Sequence, residues 1–301
     1  MNVPTRLAAF AGVLAIAFGA AALAGAAIAP TNDHKSARNG HTSHVTAGGA
    51  GHAEPAMTGM GTEHGHGAAG GGLAISEGGY TMRPERTFLH AGERARLAFR
   101  IVDARGSAVR DGYQRESERE LHLIVVRRDL RHYQHLHPVR DGSGTWSTEV
   151  TVPTPGVYRA YADFQIKGER HVLATDLFVA GDFQPHRLPA PESGARADGY
   201  GVALATAGLK GGGESELDFR VTRGGRPVQD LQPYLGAKGH LVALREGDLA
   251  YLHVHPDEAK VAADEIRFMA ALPSAGRYRL FLQFRTGSRV HTVAYTVEVP
   301  R

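Results

Sequence analysis

The 301-residue sequence predicts an all-β protein, with two tandem β-sandwich domains of immunoglobulin-like or cupredoxin-like outline after an N-terminal membrane helix and a disordered His/Gly-rich tether. Three observations predict it. Beyond residue 72, short alternating runs rich in Val, Leu, Phe and Tyr are punctuated by Gly, Pro and Asp, the pattern of a sandwich or barrel. That pattern is written twice. The residues before it hold too few large apolar side chains to build a core.

At the amino terminus, Arg6 precedes an uncharged run from Leu7 to Ala29 with twelve alanines, three glycines and eight larger apolar residues. Such a run is long enough to span a bilayer and longer than a usual signal-peptide core. Ala24-Gly25-Ala26 and Ala27-Ile28-Ala29 offer small-x-small cleavage points. Residues 1–30 therefore read as either a retained single-pass anchor or a cleaved signal. With Arg6 held inside, both versions put the rest of the chain outside the cytoplasm, at the cell membrane or secreted.

Residues 31–72 form the tether, rich in Gly, Ala, Ser, Thr and His, which cannot bury enough surface to offset its ordering entropy. It carries His34, His41, His44, His52, His64 and His66, with Met57 and Met60. Imidazole and thioether together suit copper, and such a tract would bind metal weakly.

Strand candidates follow in order: ARLAFRIVD (95–103), ELHLIVV (120–126), TWSTEVTV (145–152) and GVYRAYADF (156–164). Four stretches recur. LAFRIVDARGSAVRD (97–111) matches LDFRVTRGGRPVQD (217–230), and HLIVVRRDLRHYQHLHP (122–138) matches HLVALREGDLAYLHVHP (240–256). VPTPGVYRAYADF (152–164) matches LPSAGRYRLFLQF (272–284), and GERHVLATDLFV (168–179) matches SRVHTVAYTVEV (288–299). The domains are thus 73–180 and 199–301, each near the size of an immunoglobulin-like sandwich. Residues 181–198, with Pro, Gly and charge, read as the linker between them. PDEAKVAADE (256–265) is the best short helix candidate. Trp146, Tyr158, Tyr161, Tyr278 and Phe281 read as sandwich core.

Composition excludes several functions. The net charge is +3, and the 34 basic and 31 acidic residues are scattered, with no basic stripe for nucleic acid. Cysteine is absent, so there is no disulfide, no thiolate zinc site and no blue-copper centre. No nucleophile elbow, phosphate loop, HExxH helix or repeated carboxylate pair occurs. The sequence does not read as an enzyme, although an open three-histidine metalloenzyme site stays a third alternative.

Histidine carries the functional signal. His122, His135, His137 and His171 of the first copy fall opposite His240, His253, His255 and His291 of the second, and His-x12-His-x-His-Pro recurs with the same spacing. His90, His132 and His186 have no counterpart. A hairpin closed at Gly247-Asp248 sets His255 opposite His240, and the same register turning at Asp129-Leu130 sets His137 opposite His122. Opposed residues share a face, as do His135 and His253 two residues along. Three neutral imidazoles per copy would then converge, a set that suits Zn(II), Cu(II) or Ni(II). The fourth, His171 or His291, ends a different hairpin. Tyr133 and Tyr251, two residues before His135 and His253, read as packing rings beside each cluster.

KGHLVALREGDLAYLHVHP, PSAGRYRLFLQF and the Ala-rich leader with its His/Gly tail resemble the exported, His-containing tandem β-sandwich proteins of actinobacteria. More loosely the chain is similar to periplasmic copper-handling proteins. The resemblance implies a fold and a setting. The expected function is binding, buffering or transfer of a transition metal, copper or zinc, outside the cytoplasm. The alternative is a non-enzymatic module that docks an envelope protein, with its histidines structural.

Overall fold

The computed structural model describes residues 71–252, 254–257 and 261–301. The expected membrane helix and the metal-ligand candidates His34, His41, His44, His52, Met57, Met60, His64 and His66 lie outside the described residues, as does His253. Among the described residues every regular element is a β-strand. Of the 256–265 helix candidate, the described residues are strand and turn.

The first repeat contains β1 (Ser76–Glu77), β2 (Tyr80–Pro84), β3 (Phe88–Leu89), β4 (Arg94–Val102), β5 (Tyr113–Gln114) and β6 (Leu121–Arg127), then β7 (Gln134–Leu136), β8 (Val139–Arg140), β9 (Thr145–Thr151), β10 (Gly156–Ile166) and β11 (Glu169–Val179). The second contains β12 (Gly194–Ala197), β13 (Tyr200–Ala207), β14 (Gly213–Arg223), β15 (Arg226–Pro227), β16 (Leu231–Gln232) and β17 (Gly239–Arg245), then β18 (Tyr251–Leu252), β19 (Val254–Pro256), β20 (Glu265–Leu272), β21 (Gly276–Thr286) and β22 (Arg289–Val299). The segment expected as a linker therefore already supplies a strand, β12, which pairs with β13.

In the first repeat a sheet ordered β1-β2-β4-β9-β8 packs on one ordered β3-β11-β10-β6-β7. In the second, β12-β13-β14-β20-β19 packs on β18-β17-β21-β22. This is the immunoglobulin-like division into two packed sheets, antiparallel throughout except where β3 runs parallel to β11. Both copies also carry the tyrosine corner of that fold. The Tyr158 hydroxyl donates to the Thr154 carbonyl at 2.9 Å and that of Tyr278 to the Ser274 carbonyl at 2.7 Å, four residues back in each case.

The strands around the site are buried on both faces, which explains their nearly unbroken apolar sequence. On β6, Leu121, Leu123 and Val125 enter the first sandwich core, while Ile124 and Val126 enter a second apolar layer. That layer is shared between the repeats, with Tyr161, Val172 and Leu130 on one side and Val242, Leu244, Leu249, Tyr251 and Phe281 on the other. Trp146, Tyr158 and Tyr278 are sandwich core as expected, but Tyr161 and Phe281 belong to the layer between repeats.

The chain enters the fold through this layer. Tyr251 N donates to the Gly71 carbonyl at 2.6 Å and Arg159 Nη2 to that of Gly72 at 2.8 Å. A Cβ on Gly72 would lie 2.6 Å from the Tyr161 ring, so only glycine passes here.

Candidate metal centre between the repeats

The turn from β6 to β7 sets the histidine register. Arg127 clamps Asp129 through Nε at 2.8 Å and Nη2 at 2.7 Å. In the second copy Arg245 Nε holds Asp248 at 3.0 Å. Leu130 and Leu249 follow, both with positive φ and both buried. The second turn contains one more residue, Gly247, and the first repeat compensates with an extra residue at His132, also at positive φ. Both hairpins consequently keep the same register, with Leu123 opposite Leu136 and Ala243 opposite Leu252.

In the first copy that register opposes His135 to Ile124, one pair in from His122 on the layer face. His122, His135 and His137 converge, their nearest ligand nitrogens all within 4.8 Å of one another. A fourth imidazole comes from the other repeat. His240 on β17 stacks on His135 at 4.5 Å between centroids and on His122 at 5.4 Å.

Among the described residues the second copy gathers no imidazole set of its own. Its strand leaves the sheet early: Leu252 still pairs with β17, whereas Val254 and His255 pair with Ala270 and Met269 on the opposite sheet. His255 is exposed there, so the expected His240–His255 pair does not form. His171 and His291 are placed apart from the cluster. They pair with Phe164 and Phe284 and pack beside Tyr80 and Tyr200, on the sandwich side of their sheets and away from the cluster. An alternating strand forces this, because position 171 is one step out of phase with the row containing His122 and Asp163.

Two functional neighbours were not singled out from sequence. Asp163 lies directly opposite His122, and Gln283 directly opposite His240. They occupy matching places in YADF (161–164) and FLQF (281–284), and a polar residue at the same position of an otherwise apolar strand is the signal that marks them. Each receives a bond from the other repeat. Gln283 Oε1 lies 2.7 Å from His135 Nδ1, and the Tyr251 hydroxyl bonds Asp163. Arg170 grips Asp163 through Nε at 2.9 Å and Nη2 at 2.5 Å. Burial opposes the Asp163 charge, but Arg170 outweighs it and holds the carboxyl below its usual pKa.

The cluster is held neutral. Burial is the leading cause in each case. It lowers His122, takes His135 well below the ordinary imidazole value with help from His240 and His122, and brings His137 to about 4 and His240 to about 3.

Tautomers follow from the acceptors. His122 Nε2 donates to the Glu116 carbonyl at 3.1 Å, which leaves Nδ1 with a lone pair. His135 Nδ1 donates to Gln283 Oε1, which leaves Nε2 bare. These two nitrogens face each other at 2.9 Å. Nε2 of His137 and Nε2 of His240 are buried with no hydrogen-bond partner. Where both protons are held by these outer acceptors, the two facing lone pairs repel, and a cation bound to both would relieve the repulsion. Neutral imidazoles with bare nitrogens are what Zn(II) and Cu(II) require, at about 2.0–2.1 Å per bond. A cavity lined by Glu116, Arg119, His122, His240 and His255 opens beside them.

The chain belongs to the family described as Domain of unknown function (DUF8832), whose model matches it twice, over residues 75–181 and 195–301. No curated protein matches it. Among solved structures it is similar to the Escherichia coli adhesin FdeC (15% identity, 76% of this chain and 66% of that one, TM-score 0.26). It is similar also to a Salmonella alpha-2-macroglobulin mutant (16%, 75% and 15%, TM-score 0.27) and to the bacterial integrin-binding protein invasin (12%, 75% and 41%, TM-score 0.24). The chain thus spans less than two thirds of each of these structures, and likeness at this level carries no argument about function.

Proposed function

We propose that the chain is a non-enzymatic, extracytoplasmic metal-binding module that holds one Cu(II) or Zn(II) ion between its repeats and buffers it or passes it on. His122, His135 and His137 would be its ligands, and the tether histidines would capture ions weakly. The observation that carries this reading is the approach of His122 Nδ1 and His135 Nε2 to 2.9 Å in a buried cluster whose imidazole pKa values are all lowered. The sequence has no cysteine to supply a thiolate, and an all-imidazole set favours the divalent ions over Cu(I). Asp163, the acid directly opposite His122, is tied to Arg170 and is no free general base.

The test is titration of the full chain with Zn(II) or Cu(II) against a chelating competitor. One tight site should disappear in His122→Ala with His135→Ala and persist in His255→Ala. If the double variant binds like the parent, the site is wrong.

A second reading, an envelope-protein docking module with structural histidines, is favoured by a different observation. Phe88 and Phe178 lie with ring centroids 5.5 Å apart, tilted by 30°, on adjoining strands while 73% and 40% exposed, and large exposed apolar groups mark interaction sites. Retained binding of an envelope partner by a chain that takes up no metal would support it.

A further inference from the structure

We infer that Gln283 of the second repeat is a positioning residue that decides whether His135 of the first repeat presents a lone pair or a proton to the proposed metal. The inference rests on the metal-binding reading and deepens it.

Gln283 is 7% exposed and sits on β21 opposite His240. Its amide meets two groups. Oε1 lies 2.7 Å from His135 Nδ1, and Nε2 donates to Thr292 Oγ1 at 3.2 Å. A threonine hydroxyl both donates and accepts, so it accommodates either orientation of the amide.

Each orientation dictates a different tautomer. With Oε1 toward His135, the proton stays on Nδ1 and Nε2 is bare against His122 Nδ1. With the amide turned over, its NH2 donates to His135 Nδ1, the ring proton moves to Nε2, and Nε2–H donates to the lone pair of His122. The turned state satisfies all four atoms without an ion. The state with Oε1 inward leaves two lone pairs facing across 2.9 Å, a repulsion that a bound cation would relieve. An outer acceptor that fixes the tautomer of a ligating histidine is the usual support of such sites. Here it reaches across from the other repeat, so metal affinity depends on the repeats being docked.

Position 283 matches Asp163 in the first repeat, a carboxylate that only accepts. Gln283→Glu would lock the first state and Gln283→Leu would abolish it. In the full chain, the probe is Zn(II) with a chromophoric competitor, together with 15N chemical shifts of His135 to read its tautomer. Gln283→Leu should weaken the tight site by roughly 10–100-fold and shift His135 toward the Nε2–H form. Gln283→Glu should bind at least as tightly as the parent and keep Nδ1–H. A merely structural glutamine predicts that both variants weaken binding with the tautomer unchanged, and that outcome overturns the inference. If the parent chain shows no site that needs His122, the metal reading itself has failed, which is a separate result.

Discussion

The hydroxyl of Tyr161 donates to the backbone carbonyl of Leu249 at 2.6 Å, joining β10 of the first repeat to the β17–β18 turn of the second. Tyr161 is fully buried, and its ring also lies 5.5 Å from that of Tyr251. Tyr161→Phe keeps the ring and strands a buried carbonyl, at a cost of about 1–3 kcal/mol. Tyr133 provides the control. Its ring stacks on Phe281 at 4.1 Å, but its buried hydroxyl has no partner. Tyr133→Phe should therefore be neutral or stabilising. Urea midpoints of the two variants check this, and equal losses would refute the assignment.

The β6–β7 turn makes a second contrast. Arg127 and Asp129 have side chains only 4% and 5% exposed, whereas those of Arg245 and Asp248 are 27% and 39% exposed. Removing one partner of a buried pair leaves an uncompensated charge, so Asp129→Ala should cost about 3 kcal/mol. Asp248→Ala should cost about 1 kcal/mol or less, as for exposed pairs. Denaturant unfolding of both variants measures the difference.

Acid should loosen the contact between repeats. His122, His135, His137 and His240 all have pKa values lowered by folding from the ordinary 6.5. The unfolded chain therefore binds more protons once the pH drops below about 6.5. Stability supplied by the neutral cluster is fully present above that pH. It is lost as pH falls toward the folded values of about 4 for His137 and 3 for His240. Each group adds a slope of about 1.4 kcal/mol per pH unit within its window. Asp163, Glu116, Arg170 and Arg119 are other charges nearby, and Asp163 stays ionised because Arg170 holds it. Melting temperatures of the metal-free chain between pH 7.5 and 4.5 should fall. His240→Phe should flatten that fall, and an unchanged profile would show that His240 does not titrate in this window.

The fold was legible because a sandwich writes itself locally: alternation, turn residues and a duplicated pattern each survive in one strand. The hairpin register was legible too, since Asp129 and Asp248 fix turns whose different lengths are offset by the extra residue at His132. Assignment of the histidines to sites was not. His240 belongs with the first repeat's histidines because two sheets pack face to face, a long-range relation that no spacing encodes. His255 departs because the chain switches sheets between Leu252 and Val254, where local sequence still continues the alternation. His171 and His291 recur in the repeat for a packing reason, so repetition alone could not separate a ligand from a core residue.

Those two histidines give the sharpest test of that separation. His291 Nδ1 lies 2.8 Å from Asp198 Oδ2, and its Nε2 lies 2.9 Å from Thr286 Oγ1, which also meets the Tyr200 hydroxyl at 2.8 Å. In the first repeat the matching positions are Gly78 and Ile166, and His171 Nε2 is buried without a partner. Gly78 keeps the backbone conformation of Asp198, with φ of 59° against 52°, but brings no carboxylate. His171 is therefore a packing ring that retains an unpaid polar atom. His171→Phe should cost less than about 1 kcal/mol or stabilise the chain, and His291→Phe should cost about 1–3 kcal/mol by removing both side-chain hydrogen bonds of its ring. Neither should change Zn(II) uptake. A large loss of metal in His171→Phe would return that residue to the ligand set and contradict its place on the sandwich side of β11.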